Sequence, residues 1–95
     1  MGKQYFVYLL VNKPYGTFYV GITSDLARRL DAHRNDLPGS FTEQYGIHML
    51  MHYEIYDDPY SAIQREKRLK RWRREWKLRL IEENNPKWAD LPDDF

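Results

Sequence analysis

Residues 5–33, YFVYLLVNKPYGTFYVGITSDLARRLDAH, read as strand, tight turn, strand and helix, and the rest of the chain must pack on what they build. Residues 5–12 are aromatic, β-branched or aliphatic almost throughout, which suits a strand covered on both faces. Lys13-Pro14-Tyr15-Gly16-Thr17 contains a proline that pre-sets φ and a glycine able to take positive φ, so a hairpin turn is expected. Residues 18–22 then return antiparallel to the first strand, which sets Tyr8 and Tyr19 roughly opposite each other. Thr23 and Ser24 are both N-cap candidates, Asp25 suits a first helical turn, and Leu26, Leu30 and His33 recur at helical spacing. Arg29 and His33 lie one turn apart on one helix face. A cation and an imidazole beside two phenols at a hairpin mouth can grip and cut a phosphodiester.

Bulk properties bound the function. Ninety-five residues without a Pro/Gly/Ser-rich linker are expected to form one domain, with a signature core at 5–66, a basic helical region at 59–84 and an acidic tail at 85–95. The absence of cysteine excludes disulfides and thiolate metal sites and fits a reducing cytoplasm. No apolar run approaches the roughly 20 residues that span a bilayer, and no signal-peptide layout is present, so no membrane partner is expected. The net charge of +1 hides a polarity: residues 65–79 hold nine Lys/Arg against Glu66 and Glu75, a local +7 that the remaining residues offset with −6.

Beyond the first helix, Asn35-Asp36-Leu37-Pro38-Gly39-Ser40 is a cluster of turn formers that should end it near Arg34 or Asn35. In the loop that follows, Phe41, Thr42 and Tyr45 either contact a nucleotide or cap the core. Residues 47–56 alternate, which predicts a third strand with Ile47, Met49, Met51, Tyr53 and Ile55 on one face. His48, His52 and Glu54 fall on the other, where they imitate a metal site but are read as lining the wetter face of a sheet. Asp57-Asp58-Pro59 is a helix start. The helix beyond it has an apolar stripe of Ala62/Ile63, Leu69 and Trp72, followed by Trp76, Leu80 and Ile81. Periodicity leaves open whether a bend at 72–74 splits it. Asn84-Asn85-Pro86 ends it, Trp88 and Leu91 fold back onto the body, and the last four residues fray.

Between Ile63 and Leu69 the inward stripe passes through Glu66. A carboxylate there is costly unless neutralised. Two partners suit it: an arginine such as Arg29, or a divalent metal for which a carboxylate oxygen is a hard ligand.

Phe6-Val7-Tyr8, then Tyr19-Val20-Gly21, then Arg29 and His33 on the next helix together resemble the GIY-YIG endonuclease domain, and the likeness extends to about residue 90. Phe6 stands in place of the first glycine of that pattern, and Val7 and Val20 in place of isoleucines. These are packing positions, so the polar set is intact. The resemblance implies an α+β fold with a mostly antiparallel three-stranded sheet flanked by helices. It also implies that the metal, Mg²⁺ or Mn²⁺, sits on Glu66, and that Tyr8 and Tyr19 surround the attacking water with Tyr8 as general base. His33 is a rival base, because its ordinary pKa of about 6.5 suits proton transfer better than a phenol near 10. Arg29 has the planar fork that clamps phosphate oxygens.

The expected function is therefore metal-dependent hydrolysis of phosphodiester bonds in DNA, with structure-selective cutting and a role in DNA repair or processing as its setting. RNA stays open as a substrate. So do a protein partner that supplies specificity and a monomeric or weakly dimeric state. The competing reading is a non-catalytic nucleic-acid-binding module of the same fold. Both place phosphates against Arg28, Lys67, Arg68, Lys70, Arg71 and Arg74, since each neutralised phosphate releases counterions. Filter-binding or anisotropy titrations at rising salt are expected to show affinity falling steeply; a flat response removes the phosphate-binding face.

Overall fold

A computed structural model describes residues 3–34 and 46–92. Three strands, β1 (Tyr5–Val11), β2 (Phe18–Thr23) and β3 (Met49–Tyr56), form one sheet in the order β2-β1-β3, antiparallel throughout. Among the described residues three helices pack on it: α1 (Leu26–Arg34), α2 (Pro59–Arg71) and α3 (Arg74–Asn84). This is the α+β architecture expected from the sequence. Residues 1–2, 35–45 and 93–95, which include Phe41, Thr42 and Tyr45 and the last three of the four residues expected to fray, lie outside the described residues.

The central strand explains the layering. Val7, Leu9 and Val11 point to one side and pack with Met51, Ala62, Leu69, Ile81 and Trp88. Phe6, Tyr8 and Leu10 point to the other and pack with Leu26, Leu30, Ile47 and Leu50. A strand buried on both faces needs apolar residues at consecutive positions, and β1 has them. Each fully buried aliphatic side chain contributes about 1.5–3 kcal/mol, so β1 is the main cohesive element of the domain.

Local details depart from the sequence expectation in several places. At the hairpin tip the left-handed residue is Tyr15, with φ 60, rather than Gly16. Gly16 is required for space, since a Cβ there would come within 1.9 Å of Asn12 Oδ1, the oxygen that accepts the Thr17 amide at 2.8 Å. Tyr15 is held in place by stacking on Trp88 (centroids 4.5 Å apart) and by donating its hydroxyl to Glu82 at 2.8 Å. The register sets Tyr8 opposite Gly21 and Tyr19 opposite Leu10, so the two phenols are diagonal neighbours.

The cap of α1 is Asp25, whose Oδ1 accepts the Arg28 amide at 3.2 Å, while Thr23 Oγ1 accepts the Asp25 amide at 3.1 Å. In β3 a bulge breaks the alternation: Leu9 pairs with His52 but Leu10 with Leu50, leaving Met51 as the extra residue. His52, Glu54 and Tyr56 thereby join Met49 and Met51 on the α2 side, and Tyr53 goes with Leu50 to the α1 side.

The long basic segment is two helices. Asp58 caps α2, accepting the Ser61 amide at 2.8 Å, and extended backbone at Trp72 and Arg73 separates it from α3. Two extended residues reset the helical phase, so Ile81 is fully buried and Trp76 is 47% exposed, against the expectation that Trp76 points inward. Ile63 is likewise exposed. Trp88 and Leu91 do fold back. Asp90 Oδ1 accepts the Leu50 amide at 2.8 Å and the Leu91 amide donates to the Leu50 carbonyl at 2.9 Å, which covers part of the free edge of β3.

Beneath α2, Glu54 takes Arg65 in a two-pronged grip (2.8 and 2.9 Å), the Tyr56 hydroxyl at 2.7 Å and His52 Nε2 at 2.8 Å. Burial alone would raise its pKa, but these hydrogen bonds and the Arg65 charge prevail and hold the carboxyl down to about 2. A depressed carboxylate contributes stability that is complete above its unfolded value of 4.5 and is lost as pH falls through about 2. Wild type is therefore expected to lose on the order of 3 kcal/mol more than Glu54→Gln across that acid window in urea unfolding at stepped pH; parallel acid limbs for the two proteins would refute this.

Candidate active site

The hairpin and α1 bring three of the expected site residues into contact. Tyr8 is fully buried on β1, and its hydroxyl lies 3.1 Å from Nε2 of His33, which projects from the last turn of α1 and is also buried. Tyr19 on β2 closes the group: its ring centroid is 6.2 Å from that of Tyr8 and 5.2 Å from that of His33, edge-on to the imidazole. The arrangement depends on Gly21. A Cβ there would stand 2.4 Å from both Cζ and the hydroxyl oxygen of Tyr8, so the open space at this glycine is filled by the Tyr8 phenol rather than by substrate.

The electrostatics divide the proton-carrying roles. Burial and then the adjacent Tyr19 push the Tyr8 phenol well above its ordinary pKa; Arg29 pulls it down in part, and a hydrogen bond with Tyr19 and the Glu66 charge push it up again. Tyr8 is therefore a neutral phenol at physiological pH. His33 moves the other way, lowered by burial, then by the Arg29 charge and to a lesser degree by the neighbouring His48, so its imidazole is neutral and able to accept a proton.

Arg29 stands exposed on α1, with Arg28, at a hollow of about 360 Å³ lined also by Thr23, Ser24, Asp25 and Ala32. Its charge reaches both Tyr8 and His33. Glu66 projects from α2 with its side chain only 15% exposed, and its charge reaches Tyr8. Among the described residues its ion-pair partner is Lys70, one turn on, at 3.5 Å, and not Arg29. That contact is long and its lysine is 55% exposed, so it neutralises Glu66 only weakly. A sheltered carboxylate with so loose a partner suits a hard cation. Among the described residues no group of three or more His, Cys, Asp or Glu is placed to hold a metal, so an ion at Glu66 would draw most of its ligands from water and substrate.

The imitation metal site of β3 resolves differently. His52 and Glu54 are engaged with Arg65 and Tyr56 on the α2 side, and His52 is buried rather than on a wet face. This network was missed because it needs the bulge, which no alternation pattern discloses. Of the proposed phosphate contacts, Arg28, Lys67, Arg68, Lys70 and Arg71 are exposed. Arg74 is also exposed but is occupied, donating to the Tyr15 carbonyl and lying 4.8 Å over the Phe18 ring, which fastens α3 to the hairpin. No helix among the described residues is long and apolar enough to cross a membrane.

Comparison with known proteins finds similarity along most of the chain. The GIY-YIG catalytic domain matches residues 4–79. The chain is 31% identical over 83 residues to a UPF0213 protein of Staphylococcus saprophyticus, covering 87% of this chain and 99% of that protein. It is 33% identical over 92 residues to a UPF0213 protein of Clostridium perfringens, covering 90% and 98%. A UPF0213 protein of Staphylococcus aureus is 32% identical over 80 residues, covering 84% and 96%. No solved structure matches.

Gly21→Ala is expected to destabilise the fold by about 1–3 kcal/mol, because the Tyr8 ring must leave its place against β2. Thermal unfolding checks the loss, and the Tyr8 ring signals should shift in NMR spectra. An unchanged Tm would show that the phenol moves aside freely.

Proposed function

The chain belongs to the GIY-YIG nuclease family, and from that membership and the geometry around the hairpin we propose that it is a divalent-metal-dependent endonuclease acting on DNA. The observation that carries this reading is the Tyr19–Tyr8–His33 cluster, with Arg29 and Glu66 both close enough to act electrostatically on the central phenol.

Glu66 would hold Mg²⁺ or Mn²⁺. When bound, the ion supplies positive charge that polarises the scissile phosphate and stabilises the departing oxygen. The remaining work falls to the chain's own groups. Arg29 is exposed and free of a competing carboxylate among the described residues, so its fork can hold two phosphate oxygens as negative charge builds. Tyr8 is too buried and too weakly acidic to be a standing phenolate, but its hydroxyl links Tyr19 to the neutral imidazole. A water at the half-buried Tyr19 can therefore pass its proton to the Tyr19 oxygen while the Tyr19 proton moves to Tyr8 and the Tyr8 proton to His33 Nε2. His33 is the terminal base in this scheme, and Tyr8 is the relay. The exposed cations of α1 and α2 supply sequence-independent phosphate affinity, so target choice falls to DNA structure or to a partner.

Cleavage of duplex, branched and single-stranded DNA with Mg²⁺ or Mn²⁺ tests the proposal. Glu66→Ala and Arg29→Ala are expected to lower the rate at least about 100-fold with Tm maintained. Because a lowered pKa keeps His33 deprotonated further into acid, the acidic limb of kcat/KM should have its midpoint below about 6.5, and His33→Gln should abolish that limb. Wild type that cuts no better than Glu66→Ala would overturn the enzymatic reading.

A further inference from the structure

We propose that the groove at the junction of α2 and α3 is a stacking site for an unpaired base of single-stranded DNA. The inference extends the nuclease reading by naming the form of substrate that the basic face takes, and it rests on a part of the molecule that the hairpin site does not use.

Trp72 and Trp76 stand edge to face with ring centroids 6.1 Å apart. With Arg79, Leu80 and Glu83 they line a hollow of about 370 Å³, within the usual size range of small-ligand sites. Trp76 is 47% exposed, a large apolar surface left in solvent by the phase reset at Trp72 and Arg73. It is not isolated in an apolar patch. The Arg73 guanidinium lies 5.8 Å from the Trp76 ring, Arg79 lines the hollow itself, and Trp72, Trp76 and Arg79 fall within the stretch whose local charge is +7.

An exposed indole at Trp76, backed by the half-buried Trp72 and with Arg73 and Arg79 beside it, fits a ligand that is flat, aromatic and attached to negative charge. A nucleobase on its phosphate backbone meets all three conditions. A duplex does not, because its bases are already stacked on one another and present only edges and phosphates. Glu83 at the rim is an acceptor of the kind that takes the exocyclic amine of cytosine.

The test measures binding alone, with the full chain in chelator so that no cleavage occurs. A short cytosine-rich single strand should quench tryptophan emission, and the same sequence as a duplex should not. Trp76→Ala is expected to weaken single-strand binding at least about fivefold and leave duplex binding unchanged, whereas Trp76→Phe, which keeps a stacking face, stays within about twofold of wild type. Because Trp76 is exposed, Trp76→Ala should keep the wild-type Tm. Single-strand affinity of Trp76→Ala within twofold of wild type would overturn the proposal. So would sedimentation showing a wild-type dimer that Trp76→Ala dissociates, since the groove would then be a self-association surface, or tighter binding of the equivalent RNA. Because these titrations are run in chelator, a failure of stacking is read separately from a failure of catalysis.

Discussion

Tyr8 carries the one polar side-chain atom among the six buried residues of β1, and that hydroxyl must find a partner inside the domain. Leaving it unsatisfied would cost about 1–3 kcal/mol, a sizeable part of the stability of so small a fold. Its partners are His33 from α1 and Tyr19 from β2, so one bond requirement ties the central strand to the element on either side of it in the chain's first third. Gly21 completes the constraint by leaving the phenol somewhere to lie. The same burial that makes the bond necessary also sets its chemistry, since it disfavours both a phenolate at Tyr8 and an imidazolium at His33. A neutral donor facing a neutral acceptor is the arrangement in which a proton can be handed along without first creating a buried charge.

The sheet separates this cluster from a second polar group. On the α2 side Glu54 is ionised and nearly saturated by Arg65, His52 and Tyr56, and both members of the Glu54–Arg65 pair are largely sheltered. An ion pair of this kind adds little net stability over apolar packing but strongly penalises any arrangement that breaks it. Its effect is therefore on specificity of packing. α2 can sit on the sheet in only one rotation that keeps Arg65 on Glu54.

Much of this was legible in the sequence because hydrophobic period and turn chemistry act locally. The hairpin, the α1 face that carries Leu26, Leu30 and His33, and the Asp58-Pro59 helix start are all set by residues within a few positions of one another. What could not be read depends on contacts distant in sequence. The bulge at Met51 reverses the second half of β3, and its polar consequences involve Arg65, eleven residues beyond Glu54. Trp76 was assigned inward because a continuous helix would carry the stripe of Leu69 and Trp72 onward; two extended residues defeat that projection, and no proline or glycine marks them. Tyr15 holds a left-handed conformation because Trp88 and Glu82, about seventy residues away, support it. The diagonal relation of Tyr8 and Tyr19 likewise needs the register, and the turn alone gives only the pairing of strands.

The link between the two polar groups is the adjacency of Arg65 and Glu66. Successive residues on a helix point about 100° apart, so once Glu54 fixes Arg65, the direction of Glu66 is fixed as well. The acid proposed to hold the metal thus borrows its orientation from an ion pair outside the proposed site. Its own salt bridge, to Lys70, is too long and too solvated to do this. Pre-orientation by a locked neighbour leaves the Glu66 carboxylate itself available to an incoming cation, whereas a direct clamp on Glu66 would have to be broken before it could bind one. Two acids on facing elements, both partly sheltered, thus have different surroundings: Glu54 is saturated by its partners, and Glu66 keeps only the long contact to Lys70.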